Sequence, residues 1–421
     1  MTKTKTKPPM TGPTTTTTTQ QQQQHDGCFC LTVPTYGLLS AIGLFQTYWH
    51  AGLLAGHSEA DVAWITSVFG FLDCLFAAPV GVLLDHCGTR WLLPLGCAAY
   101  VAAFAGLAFC DSYARFMACM AVAGVAAASP TTIAFSVVGQ WFTSWKGLAT
   151  GCVTLGAPLG GIFFSLVLQT LFANLPWRTA ALVLTAIMAA LMAVGCVLVE
   201  NKVPREERED GGDEDEAAEP PAKVSHVLTS PKFWLISYAI FAYELVLFTQ
   251  WGSIPSYAVA AHVRDKQFYL TMSGAVLGRT LPPWLGDRVL GPLNATIAMN
   301  LFTLLVVLAI WIPVGTSSLA ALFIVVALMG VGTGSFVPLG VSCINALCSP
   351  QHTGTWLGLA YGMVSFAILV GNPASAVILA RYDSNGLLAF LAAVLFSGMI
   401  SAAALRWLVL GRRWSWKVGR V

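Results

Sequence analysis

Three ionisable side chains stand inside long apolar stretches of this sequence. Arg279, Glu244 and Asp73 are each flanked on both sides by mostly apolar residues. Because a charge within such a stretch is costly to bury, each of the three is a candidate functional residue. The planar guanidinium of Arg279 presents parallel donors that suit a carboxylate. Either carboxyl, once removed from water, could carry a proton.

The same three residues also have a structural interpretation. Arg279 lies eight residues before Asp287, which corresponds to about 12 Å along a helix. In this interpretation the only role of Arg279 is to pair with an acid near one end of the protein. Either Glu244 or Asp73 could also be its salt-bridge partner. The functional interpretation assigns substrate binding to Arg279 and Glu244, and ion coupling to Asp73 and Glu244.

The elements that must position these residues are transmembrane helices. Of the 421 residues, 56% are hydrophobic and only 10% are charged, and the mean hydropathy is +0.70. Soluble domains carry about a quarter charged residues, and a helix needs about 20 apolar residues to cross a bilayer. The sequence contains twelve such runs, and we therefore expect an all-α polytopic membrane protein. The runs are 29–49, 62–84, 91–110, 115–139, 148–172, 178–199, 233–259, 268–289, 293–313, 318–343, 355–380 and 386–410.

The segments outside these runs divide the chain into two halves. Residues 1–27 hold a threonine run and a glutamine run, which predicts a disordered tail. Residues 201–231 form an acidic, proline-flanked linker between one six-helix bundle, 28–200, and a second one, 232–410. Residues 411–421 are a short basic tail. Most of the 22 Lys and Arg residues fall on the side of both tails and the linker, so both termini are expected in the cytosol.

The two halves resemble each other in sequence. The string Gly-Leu-Ala-x-Gly occurs at 147–151 and again at 358–362. Gly81 and Asp85 lie at the end of the second run, as Pro283 and Asp287 lie at the end of the eighth. These matches occur in the same order, which indicates an internal duplication. Duplicated bundles are typical of carriers that move one half against the other around a central site.

The string Gly156-Ala157-Pro158-Leu159-Gly160-Gly161 lies in the fifth run. Its small residues allow helices to approach closely, and Pro158 removes one backbone hydrogen bond. The string is also loosely similar to a motif of drug antiporters that export their substrates, although the spacing differs by one residue. Helix packing and an exporter motif both remain open as interpretations.

The segment Gly81-Val82-Leu83-Leu84-Asp85-His86-Cys87-Gly88-Thr89-Arg90 resembles the loop motif of the major facilitator superfamily. This resemblance implies twelve transmembrane helices in two pseudo-symmetric six-helix bundles. It also implies a conformational latch on the cytosolic side, in which charged side chains bridge helix ends. The residues that would form this latch are Gly81, Asp85, Gly88, Arg90, Asp287 and Arg288.

Within that superfamily the chain resembles the fungal monocarboxylate-transporter-like group. The strings that carry this likeness include Trp141-Phe142 and Lys146-Gly147-Leu148-Ala149 followed by Gly151. The resemblance implies that Arg279 contacts a substrate carboxylate. The first-span lysine of the family's animal transporters falls near Ser40 here, however, and the acid one turn before the eighth-span arginine falls at Ala275. The residues that usually support proton–monocarboxylate symport are therefore missing from this sequence.

The function expected from the sequence is secondary active transport of a small, monocarboxylate-like organic anion by alternating access. The first alternative is an exporter of a larger metabolite or a drug-like compound, and the second is a membrane sensor or scaffold that transports nothing. No P-loop, catalytic constellation or metal cluster is found, so no enzyme activity, cofactor or metal is expected. We expect a monomer in the plasma membrane, with the organic anion, protons and lipid as partners, and no nucleic acid.

Overall fold

The computed structural model describes residues 15–142, 145–200, 224–260, 264–314 and 319–411. These residues form helices and short connections, without a β-strand among them. The first half contains eight helices: α1 (Thr15–Thr32, continued by a π turn Val33–Gly37 and by Leu38–Ser40), α2 (Gly43–Ala51), α3 (Glu59–Cys87), α4 (Thr89–Leu107), α5 (Tyr113–Trp141), α6 (Lys146–Thr154), α7 (Gly156–Asn174) and α8 (Trp177–Leu198).

The described residues of the second half form seven further helices. They are α9 (Val224–Thr229), α10 (Pro231–Ala260), α11 (Arg264–Leu285, followed by a π turn Gly286–Leu290), α12 (Pro292–Leu305, continued by a π turn Val306–Trp311 and by Ile312–Val314), α13 (Leu319–Gly334), α14 (Phe336–Leu347) and α15 (Thr353–Val409). Each of the twelve apolar runs predicted from the sequence overlaps one or more of these helices. The fold is therefore all-α, as expected.

Ten helical segments in the described part of the chain are long and apolar enough to cross a membrane. The bent pair of α1 and α2, with 49° between its parts, makes an eleventh. The outer surface of the bundle is itself apolar: the side chains of Leu95 and Val197 are 71% and 75% exposed. Such a surface requires lipid rather than water around it.

Helix α15 carries the last two predicted spans in one stretch of helical backbone. Its 57 residues would extend about 85 Å if they were straight, far more than a bilayer is thick. Its contacts with α10 show that it doubles back: Gly371 packs against Phe248, and Gly398 packs against Tyr243 only five residues away. The two ends of α15 therefore run in opposite directions, as two separate spans do.

The prediction of a disordered tail over residues 1–27 is wrong for residues 15–27, which belong to α1. Gln21 Nε2 donates to the carbonyl of Trp141 over 2.9 Å, and Gln24 Nε2 donates to that of Leu198 over 2.9 Å. Trp141 and Leu198 are the last residues of α5 and α8, where helix carbonyls lack intrahelical partners. The glutamine run therefore caps two helix C-termini. Residues 1–14, the linker segment 201–223 and residues 412–421 lie outside the described residues.

Two helix crossings join the halves. At one, α3 meets the start of α15, where a Cβ added to Gly354 would lie 2.6 Å from the carbonyl oxygen of Gly81. At the other, α11 meets α6, where a Cβ added to Gly147 would lie 2.9 Å from the carbonyl oxygen of Pro283. Both distances are too short for a side chain, so both crossings depend on glycine. The two crossings correspond to each other under the internal repeat that relates the two halves.

This relationship corrects the register of the internal repeat. The sequence match aligned 147–151 with 358–362, whereas the contacts align Gly147 with Gly354 and Gly151 with Gly358. A Cβ at Gly151 would overlap the carbonyl oxygen of Arg279, and a Cβ at Gly358 would overlap that of Ala77. The difference of four residues is about one helical turn.

Candidate functional site

Two carboxylates connect the halves at the end of the bundle that the sequence predicts to be cytosolic. Asp85, at the end of α3, accepts hydrogen bonds from the backbone N–H of Gly354 over 3.0 Å and of Thr355 over 2.7 Å. Asp287, just after α11, accepts them from Gly147 over 2.9 Å and Leu148 over 2.8 Å. The donors lie in the first turns of α15 and α6, where N–H groups are unpaired and the helix dipole is positive. Each half therefore caps a helix of the other half.

Glycine turns place these carboxylates. Gly88 ends α3 and Gly291 ends the π turn after α11, with φ values of 72° and 81°. A side chain at this φ is strained, and glycine avoids that strain. Gly291 holds the same place as Gly88 although it comes one residue later relative to the acid, because the π turn adds a residue.

The two arginines of the predicted latch do not take part in these hydrogen bonds. Arg90, in the first turn of α4, is exposed to solvent and makes no hydrogen bond or ion pair within the described part of the chain. Arg90 therefore bridges no helix ends among the described residues, and its place in the latch stays a prediction. The guanidinium of Arg288 lies over the ring of Trp284, 5.3 Å from its centroid.

The three ionisable residues selected from the sequence are all buried between the two halves. Arg279 on α11 is 5% exposed, and Glu244 on α10 and Asp73 on α3 are each 3% exposed. The three residues come from three different helices, and α3 belongs to the opposite half from α10 and α11. The structure thus gathers them at the centre of the protein.

Arg279 reaches across the boundary between the halves. One of its terminal nitrogens, Nη1, donates to the carbonyl oxygen of Thr154, the last residue of α6, over 2.6 Å. In a continuous helix that carbonyl would accept from the N–H of residue 158. Residue 158 is a proline, which has no N–H. Pro158 therefore leaves the carbonyl of Thr154 open to the guanidinium.

Glu244 and Arg279 interact through their charges without forming a direct ion pair in the described part of the chain. Within that same part, Nε of Arg279 and Oε1 of Glu244 are buried and have no hydrogen-bond partner. Tyr36 and Tyr361 also lie within electrostatic range of the guanidinium. The site thus combines a buried cation, a buried acid and two phenol rings.

Asp73 borders a small cavity that Tyr36 and Tyr361 also line. Its Oδ1 accepts a hydrogen bond from the hydroxyl of Thr131 over 3.0 Å. The cavity offers about 10 Å³ to the centre of a water molecule, enough for about one water. Aromatic rings form one wall, with centroids of Tyr36 and Phe135 5.5 Å apart and those of Phe135 and Tyr361 6.1 Å apart.

Sequence reasoning identified the charges of this site but missed the neutral groups around them. Thr131, Tyr36 and Tyr361 carry no charge and therefore do not stand out in an apolar run. The carbonyl of Thr154 is a backbone atom, and only Pro158 four residues later signals that it lacks its usual donor. Ser40 donates its hydroxyl to the carbonyl of Tyr36 over 2.9 Å, so it stays within its own helix.

A family model described as Major Facilitator Superfamily matches residues 27–281, more than half of the chain. The chain belongs to this superfamily. The transporter is 28% identical over 398 residues to MFS-type transporter hasB of Aspergillus fumigatus, covering 90% of this chain and 87% of that protein. It is 26% identical over 393 residues to Agnestins efflux protein AgnL12 of Paecilomyces divaricatus, covering 92% and 86%.

Two solved structures share the fold of this transporter. The human organic anion transporter MFSD10 (TETRAN) matches with a TM-score of 0.70 at 15% identity, covering 92% of this chain and 99% of that one. A bacterial homologue of the iron transporter ferroportin, in an outward-facing state, matches with a TM-score of 0.71 at 14% identity and the same coverage.

These matches confirm several predictions made from the sequence. The protein is a multi-pass integral membrane transporter with the major facilitator fold, and it is not an enzyme. Its substrate is a small molecule. The narrower resemblance to the monocarboxylate group and the roles of individual site residues stay predictions.

Proposed function

We propose that this protein is a secondary transporter that exports an aromatic organic acid, with Arg279 as the contact for the substrate carboxylate. The observation that carries the proposal is a buried guanidinium at the boundary between the halves, with Nε unpaired among the described residues. Paired N–H donors of this kind match the two oxygens of a carboxylate. A neutral substrate would give no reason to bury this charge.

The surroundings of Arg279 favour an aromatic acid over a simple aliphatic one. Tyr36 and Tyr361 lie within electrostatic range of the guanidinium, and both line the cavity beside Asp73 together with Phe135. Aromatic rings stack well on one another with centroids about 4.5–7 Å apart, so these rings suit a flat, apolar body. A molecule with a carboxylate at one end and a ring at the other matches the chemistry of both parts of the site, which must open to admit it because the cavity holds about one water as it stands.

Charge balance supports coupling to protons. If all three groups were ionised, Asp73 and Glu244 would leave one negative charge in excess of Arg279. An unbalanced buried charge is costly. One of the two acids should therefore be protonated when no substrate is bound. A bound carboxylate adds another negative charge, which a second proton balances. We assign the coupling role to Asp73 and a shared coupling and substrate role to Glu244.

The names of the relatives and the charge pattern support the proposed direction and membrane. The protein of Paecilomyces divaricatus is named as an efflux protein, and MFSD10 is described as an organic anion transporter. Export across the plasma membrane, with both termini and the latch end in the cytosol, agrees with the basic residues on that side.

The test is flux of radiolabelled benzoate in proteoliposomes that contain the purified protein, with and without an imposed pH gradient. We expect flux that the gradient drives and that Arg279→Ala reduces to the background level. Arg115→Ala is the matched control, because Arg115 is exposed and pairs only with Asp111 four residues before it among the described residues. Benzoate flux that survives Arg279→Ala would exclude the anion role. Flux of benzamide but not of benzoate would favour the export of a neutral metabolite instead.

A further inference from the structure

The bond between Arg279 and Thr154 joins the candidate substrate contact to the opposite half of the transporter. Arg279 belongs to α11, and the carbonyl that it binds lies at the junction of α6 and α7. A carboxylate and this carbonyl would compete for the same guanidinium, because each accepts hydrogen bonds from its N–H groups. The bond thus has the properties of a resting contact that a substrate can replace.

We infer that the carbonyl of Thr154, left open by Pro158, holds Arg279 in the empty transporter and is displaced by the incoming carboxylate. This inference rests on the proposed anion role of Arg279. Displacement would remove one of the bonds across the α11–α6 crossing. The anion would then loosen the contact between the halves at the moment it binds, which couples binding to the change of conformation.

The helix junction supports this inference independently of the guanidinium. The hydroxyl of Thr154 donates a hydrogen bond to the carbonyl of Gly151 over 2.8 Å. The hydroxyl of Thr32 donates one to the carbonyl of Val153 over 2.8 Å. Neighbouring carbonyls at the junction thus have side-chain donors from their own half. The carbonyl of Thr154 is instead bound by a side chain of the other half, and its donor is a buried cation.

The decisive variant is Pro158→Ala, which restores an N–H within reach of the Thr154 carbonyl. The restored donor competes with Arg279 and weakens the resting contact. We expect the KM for benzoate to fall about threefold to tenfold, with the maximal flux nearly unchanged. A general packing defect would instead lower the maximal flux. Pro94→Ala in α4 is the matched control, since that proline is also inside a span but lies on the exposed surface.

A second readout is amide hydrogen exchange of peptides that cover residues 146–160. In the wild type, benzoate should increase exchange there. In the Pro158→Ala variant, benzoate should increase it less, because the contact that benzoate displaces is already weakened. If KM and exchange in that variant match the wild type while Arg279→Ala still abolishes flux, the inference is wrong and the proposed function stands. The inference is also wrong if Pro94→Ala lowers KM to the same extent. If Arg279→Ala leaves flux intact, both fail.

Discussion

Asp85 and Asp287 occupy equivalent positions in the two halves, and each caps the N-terminus of a helix in the opposite half. The equivalence extends to the glycines beside them, because Gly354 meets Asp85 and Gly147 meets Asp287. A single ancestral contact, duplicated with the bundle, accounts for both. The end of the transporter that carries these caps is closed by two similar junctions.

Removing the charge of either cap should weaken this closure. We expect Asp85→Asn and Asp287→Asn each to destabilise the closed end by about 0.5–2 kcal/mol, because an amide is a weaker acceptor for helix N–H groups. Hydrogen exchange of the first turns of α15 and α6 should rise accordingly. Asp111→Asn, at an exposed surface pair, is the control. Unchanged exchange in both first turns would show that the caps do not hold the closed end.

The glycine crossings should tolerate no side chain. Gly151→Ala places a methyl group on the carbonyl of Arg279 and should prevent the closed arrangement, so that substrate flux falls while expression is kept. Gly43→Ala is the matched control, because a Cβ at Gly43 meets no described atom within 4 Å. Flux through proteoliposomes measures the effect. Equal flux in the two variants would contradict the proposed role of the crossing.

The glutamine run should contribute to stability rather than to transport. The double variant Gln21→Ala with Gln24→Ala removes the donors to Trp141 and Leu198, at a cost of about 1–3 kcal/mol. A lower Tm, followed by tryptophan fluorescence in detergent, is the expected result. Gln20→Ala, on the exposed face of the same helix, should leave Tm unchanged. Equal Tm values for both variants would show that the glutamine run does not stabilise the protein.

Asp73 should affect coupling more than binding. Asp73→Asn keeps the shape of the side chain and its place beside Thr131, but it can no longer take up a proton. We expect benzoate exchange at equal pH to continue while uptake driven by a pH gradient is lost. Thr131→Val tests whether the hydrogen bond alone matters and should retain the driven uptake. Driven uptake that persists in Asp73→Asn would move the coupling role to Glu244.

Sequence patterns predicted the spans and the charges of the site because both depend on local composition. Arg279, Glu244 and Asp73 are conspicuous in apolar runs, and the structure brings all three to one centre. The register of the repeat is harder to predict, because glycine recurs at 354, 358 and 362 and two alignments one turn apart both match the glycines at 147 and 151. Leu359 and Ala360 favour the alignment that the contacts contradict. Only the packing of α3 on α15 selects the correct alignment.

Other features depend on atoms that a sequence does not distinguish. The glutamine run has low complexity, and its helix is recognised only through the carbonyls of Trp141 and Leu198, more than a hundred residues away. The partner of Arg279 is likewise a backbone carbonyl. Composition shows which side chains are unusual for the run in which they lie. It does not show which backbone carbonyl, distant in sequence, lacks a hydrogen-bond donor.

The central claim is that a buried guanidinium selects a carboxylate, and equilibrium binding to the purified transporter tests it most directly. The wild type should bind radiolabelled benzoate and discriminate against benzamide, and Arg279→Met, of similar length without charge, should weaken benzoate binding about tenfold to hundredfold. Equal affinity of the wild type and Arg279→Met for benzoate, or equal binding of benzoate and benzamide, would contradict this claim.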